Sequence, residues 1–112
     1  MPKFTFTGLS VTSDTTSSEF QPECDQDMRW LLHLETSGLD GTPNVYIEEE
    51  VDGTWTPRQN PETLEFFFPV TDDLIGWRDA YFMGKKMRIR IVASGNTTGT
   101  VDGCNIHYKT KV

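Results

Sequence analysis

Hydrophobic side chains recur at every second position along most of this chain, and a helical spacing of three to four residues is nearly absent. Residues 28–35 put Met28, Trp30, Leu32 and Leu34 on one face. Residues 44–51 point Val45, Ile47 and Val51 inward and Tyr46, Glu48 and Glu50 outward. Residues 63–68 align Leu64, Phe66 and Phe68, and residues 100–112 align Cys104, Ile106, Tyr108 and Val112. The cleanest alternation is 86–93, with Met87, Ile89, Ile91 and Ala93 inward and Lys86, Arg88 and Arg90 outward. At the start, Phe4 and Phe6 alternate with Lys3 and Thr5, and Leu9 and Val11 form a second short run. Period two is what a strand needs when one face is buried and the other is wet.

Turn residues separate these runs. Ser37-Gly38-Leu39-Asp40-Gly41-Thr42-Pro43 divides two strands, Asp52-Gly53 is a hairpin signal, and Ser94 to Gly99 is a short polar connection. The expected fold is all-β: one antiparallel β-sandwich over 1–112, jelly-roll or immunoglobulin-like, with about seven or eight strands. Two stretches differ. Residues 13–27 are polar and predict a long loop, with one strand near Phe20. Thr71 followed by Asp72 and Asp73 is a candidate helix start, so one short helical turn is expected near 72–81, weakened by Gly76.

Composition supports a folded core. Apolar residues are only 36%, but thirteen aromatics, each able to bury ~150–250 Å², supply the missing area. Fifteen threonines add strand propensity on the wet faces. The formal charge of −7 disfavours direct nucleic-acid binding, and no apolar run is long enough for a membrane span. The charge is also polarised. Residues 1–79 carry sixteen acids and four bases, whereas residues 80–112 carry one acid, Asp102, and six bases. The first residues lack the apolar stretch of a secretory signal, so Cys24 and Cys104 are expected to be reduced and buried; a single bridge between them is the alternative.

No catalytic residue is expected. His33 and His107 are the only histidines, and neither sits in a nucleophile or metalloprotease motif. Glu48 and Glu50 alternate on one strand, as solvated acids commonly do. Glu23, Asp25 and Asp27, and Asp72 with Asp73, fall short of the six to eight oxygens of a calcium loop, so neither metal nor cofactor is expected. Two features invite partners. Trp55, with Tyr46, Trp77 and Tyr81, offers rings for sugar stacking, against the plainer role of closing the core. Lys86, Arg88 and Arg90 form a row of cations and Glu48 and Glu50 a matching row of anions. These rows either pair across strands within one molecule or join the basic edge of one copy to the acidic face of the next.

The run Val51-Asp52-Gly53-Thr54-Trp55, the aromatic Phe66-Phe67-Phe68, the strand Gly84-Lys85-Lys86-Met87-Arg88-Ile89-Arg90-Ile91 and the hairpin Gly95-Asn96-Thr97-Thr98-Gly99-Thr100-Val101 resemble small β-sandwich proteins of tailed-bacteriophage virions. The resemblance spans roughly residues 43–112. It implies a non-enzymatic, multicopy virion structural protein, foremost a capsid decoration or auxiliary protein, assembled in the host cytoplasm. Its partners would be copies of itself and other virion proteins, whether capsid, portal-proximal or tail subunits. Lys86, Arg88, Arg90, Glu48, Glu50, Trp77 and Tyr81 are the contact residues expected, with polar loops 13–27 and 36–43 ordering against neighbours. The alternative is a carbohydrate-binding β-sandwich module using exposed aromatics such as Trp55.

Overall fold

A computed structural model describes residues 3–21, 27–57, 67–71, 74–81 and 86–110; for 27–31, 74–81 and 108–110 it describes the backbone course. The described residues form nine strands and no helix. They are β1 (Lys3–Thr5), β2 (Thr15–Thr16), β3 (Asp27–Ser37), β4 (Asn44–Val51), β5 (Thr54–Pro57), β6 (Phe68–Pro69), β7 (Leu74–Tyr81), β8 (Met87–Val92) and β9 (Thr100–Thr110). Two antiparallel sheets result. The first runs β1-β9-β3-β7, and the second runs β2-β8-β4-β5, with β6 also pairing β4. Apart from the two-residue β6, the pairs nest along the chain: β1 with β9, β2 with β8, β3 with β7 and β4 with β5.

The core lies between the sheets and is the set that alternation selects. Leu32, Leu34, Cys104 and Ile106 of the first sheet meet Val45, Ile47, Met87, Ile89 and Ile91 of the second. Phe6, Val11, Phe20, Phe68 and Val70 close the ends. Val51, expected inward, is instead 36% exposed, because it borders the hairpin turn where the sheet runs out. That turn has positive φ at both Asp52 and Gly53, as a two-residue hairpin matching the strand twist requires.

The helical turn expected near 72–81 is absent, and Leu74–Tyr81 is strand β7. Gly76 disfavours helix by about 1 kcal/mol relative to Ala, and Ile75, Trp77 and Tyr81 favour strand. Tertiary demand adds to both. β3 spends one edge on β9, and its other edge takes β7 in register from Asp27↔Tyr81 to Leu34↔Leu74. Within the polar stretch 13–27, Thr15–Thr16 pairs with Arg90–Ile91, and Phe20 bridges Met87. The aromatic run expected at 63–68 falls outside the described residues except for its last two positions.

Loop 36–43 does not wait for a neighbour to order it. Asn96 is 2% exposed and uses its whole amide. Its Oδ1 accepts from the backbone N–H of Asp40 and Gly41 at 3.0 and 2.9 Å. Its Nδ2 donates to the carbonyls of Val11 and Thr98 at 2.7 and 2.8 Å. Asp40 returns the link by accepting from the N–H groups of Thr97 and Thr98 and from the Thr97 hydroxyl. One end of the sandwich is therefore stapled across three loops.

Candidate functional site

The solvent side of the second sheet collects most of the ionisable and aromatic residues expected to act. Glu48 on β4 lies opposite Arg88 on β8, and Tyr46 lies opposite Arg90. Because residues two apart on a strand share a face, Tyr46, Glu48 and Glu50 line up beside Arg90 and Arg88. The Asp52-Gly53 hairpin then folds β5 back so that Trp55 stands opposite Glu50.

The charges pair within the molecule. Arg88 Nε donates to Glu48 Oε1 at 2.7 Å, and Arg90 Nε donates to Glu48 Oε2 at 3.2 Å. One carboxylate thus holds two guanidinium groups. Glu48, expected to be wet, has a side chain only 5% exposed, whereas Arg88 and Arg90 remain 26% and 33% exposed. Burying a carboxylate this far is tolerable only because both oxygens are engaged by cations. Aromatic rings fix the other side of each arginine: Arg88 lies 4.4 Å over the Trp55 ring and Arg90 4.2 Å over the Tyr46 ring. Phe67 in turn packs against Tyr46 with ring centres 6.0 Å apart.

Of the other expected residues, Lys86 continues the same row, opposite Glu50, whose backbone N–H donates to the Lys86 carbonyl at 2.9 Å. Lys86 reaches Glu19 at 3.7 Å in a surface pair with both partners more than half exposed, a weak contact by its geometry. Glu50 is half-buried beside Trp55, and no ion pair forms on its carboxylate among the described residues. Trp77 and Tyr81 lie on β7, in the first sheet rather than the second. Their side chains, and residues Cys24, Asp72 and Asp73, fall outside what is described. Two features went unforeseen in the pattern: Glu48 as a shared anchor, and the stacking of each arginine on a ring. The Tyr-x-Glu and Arg-x-Arg alternation with a Trp just past the hairpin carries that signal once the register is known.

Among the described side chains of the first sheet there is less chemistry. His33 Nε2 sits 3.2 Å from Glu35 on its outer side. A cleft of about 270 Å³ opens where the chain leaves β1 and parts from β9, lined by Phe6, Gly8, Leu9, Val101, Asp102 and Asn105 among others. Cys104 is a free, buried thiol whose pKa burial pushes up to about 12, which keeps it protonated near neutrality.

Comparison with protein-family models, with curated proteins and with solved structures gives no match to this chain.

Proposed function

We propose that this protein is a non-enzymatic structural protein of a tailed-bacteriophage virion, a multicopy capsid decoration or auxiliary protein that binds neighbouring subunits and stabilises the particle, and that its two sheets form a jelly roll. The observation that carries the proposal is the nested strand pairing. First pairs with last, second with second-last and third with third-last, and the rolled hairpin splits alternately between two layers, with the short β6 as a fifth strand in the second. Such double-sheet rolls are the architecture of viral capsid and lectin domains, whereas an immunoglobulin-like sandwich divides its strands differently. The outer face of the second sheet adds support. It is rich in arginine and aromatic side chains, the residue types enriched in protein interfaces. A decoration protein acts by mass action, binding the assembled shell better than its parts.

The carbohydrate-binding alternative draws on the same fold class, but Arg88 already covers one face of the Trp55 ring. The proposal is tested by imaging purified particles of the source virus and locating this chain in the density. Regularly repeated copies on the particle are the expected result, and a polypeptide missing from purified particles overturns it. Reversing both Arg88 and Arg90 to Glu is a poor probe of incorporation, because Glu48 would be left buried among like charges and the fold itself would fail.

A further inference from the structure

Arg88 and Arg90 both donate through Nε to Glu48, one to each oxygen, so two guanidinium groups share a single negative charge. Among the described residues, no acceptor takes a hydrogen bond from an η nitrogen of either arginine. Those nitrogens carry all but one of the N–H groups of a guanidinium. The charge around the pair is unevenly met. Lys86, the third cation of the row, stands opposite Glu50 and lies 3.7 Å from Glu19, so acids already surround that end. The positive charge left over sits at the other end, with Arg88 and Arg90. Arg90 has Tyr46 on one side and the exposed Thr16 on the other, both uncharged. The two forks are also fixed in place. Glu48 holds each at Nε, and the Trp55 and Tyr46 rings lie 4.4 and 4.2 Å from the Arg88 and Arg90 guanidinium carbons. The side chains nevertheless stay 26% and 33% exposed. Arginines ordered in this way lose little further freedom when a ligand arrives.

We infer that the η nitrogens of Arg88 and Arg90 form a receptor site for a single carboxylate, supplied by a glutamate or aspartate side chain of a partner protein. The inference rests on the reading above that this face meets neighbouring subunits, and it names the chemistry of the neighbour. Charge balance selects the class of ligand. Two guanidinium groups with one carboxylate between them leave one positive charge, which a monoanion cancels. A phosphate dianion, or a run of nucleic-acid phosphates, would bring surplus negative charge toward Glu48 and Glu50 on a chain of formal charge −7. A carboxylate also matches the planar fork of arginine, and its hydrogen bonds there are charge-assisted. A sugar acid presents the same group. However, Arg88 and Arg90 already cover one face of the Trp55 and Tyr46 rings, and Phe67 packs against Tyr46, so a pyranose finds little ring to stack on. The acidic side chain of a polypeptide needs no such platform.

Arginine side-chain NMR on the purified full chain tests it. The probe is a capped glutamate with one free carboxylate; D-glucuronate, inorganic phosphate and sodium chloride are compared at matched ionic strength. The Nε and η signals of Arg88 and Arg90 should shift saturably with capped glutamate, with a Kd of about millimolar order. R90K keeps the charge beside Glu48 but removes the fork, and should weaken that binding about tenfold. Should R90K fail to fold, the location of the shifts in the native protein decides. Shifts at Arg88 and Arg90 support the site, and shifts confined to Lys86 or to other residues overturn it. Shifts that never saturate, that chloride reproduces, or that R90K leaves unchanged overturn it as well. Tighter binding of glucuronate would assign the site to an acidic sugar and tighter binding of phosphate to a dianion; either overturns a protein carboxylate as occupant. Particle imaging keeps the two readings apart. A chain found on particles that ignores capped glutamate retains the virion role and loses this site, whereas one that binds capped glutamate and is missing from particles does the reverse.

Discussion

Glu48 and Asn96 show how a single polar side chain organises a fold otherwise held by apolar contacts. Glu48 neutralises two arginines at once, so its removal strands two partly buried cations rather than one. Glu48→Ala is therefore expected to lower stability by about 3–5 kcal/mol in denaturant unfolding, and Arg88→Ala by less, since Arg90 remains on the carboxylate. Asn96 satisfies four backbone groups with one amide. Asn96→Ala should cost about 2–4 kcal/mol, and Asn96→Asp should not rescue it, because a carboxylate cannot donate to the Val11 and Thr98 carbonyls. Equal stability of the Ala and native proteins in urea would show that water takes over those bonds. The thiol of Cys104 gives a third check. Buried and held protonated up to about pH 12, it should resist alkylation at pH 8 in the native state and react once the chain is unfolded.

Among the elements, legibility in the sequence followed the strength of the local pattern. β4 and β8 were readable because Val45, Ile47, Met87, Ile89 and Ile91 alternate strictly with polar residues, and the same alternation fixed which side of each strand the core occupies. β7 was not, because Thr71-Asp72-Asp73 carries a helix-start signal and the edge of β3 that competes for Leu74–Tyr81 is set by partners far away in sequence. β2 was hidden for a related reason: two threonines have no pattern of their own and become a strand only beside Arg90 and Ile91. The site was half legible. Opposed rows of charge were visible, but their being joined through one buried carboxylate depends on a register no local motif encodes. The stapled loops yield a pH prediction at this scale. Hydrogen bonds from Thr97 and Thr98 lower the Asp40 pKa below its ordinary value. Stability from this staple is thus complete above the unfolded carboxylate's pKa and is lost as pH falls through the lower, folded one. Asp40→Asn should flatten that part of the acid-unfolding curve, and an unchanged curve would mean the staple does not depend on the charge.

For the molecule as a whole, the nested pairing sets how it must fold. Lys3–Thr5 pairs with Asn105–His107, so this contact closes the longest loop among the strand pairs and carries the largest closure entropy. The inner pair, β4 with β5, is closed by a two-residue turn and can form first; each wider pair then closes a longer loop. Contacts of such large sequence separation place folding in the range of about milliseconds to seconds, slower than helical proteins of like size. Stopped-flow refolding followed by tryptophan fluorescence should show that range, and a microsecond phase carrying the full amplitude would contradict it. The same nesting predicts where mutations act on rate. Substitutions in the inner hairpin, such as Val51→Ala opposite Thr54, should slow refolding, whereas Phe4→Ala on the outermost strand should chiefly speed unfolding, because β1 docks last. The order follows from which ends must find each other, and it would reverse if β1 and β9 joined before the second sheet formed.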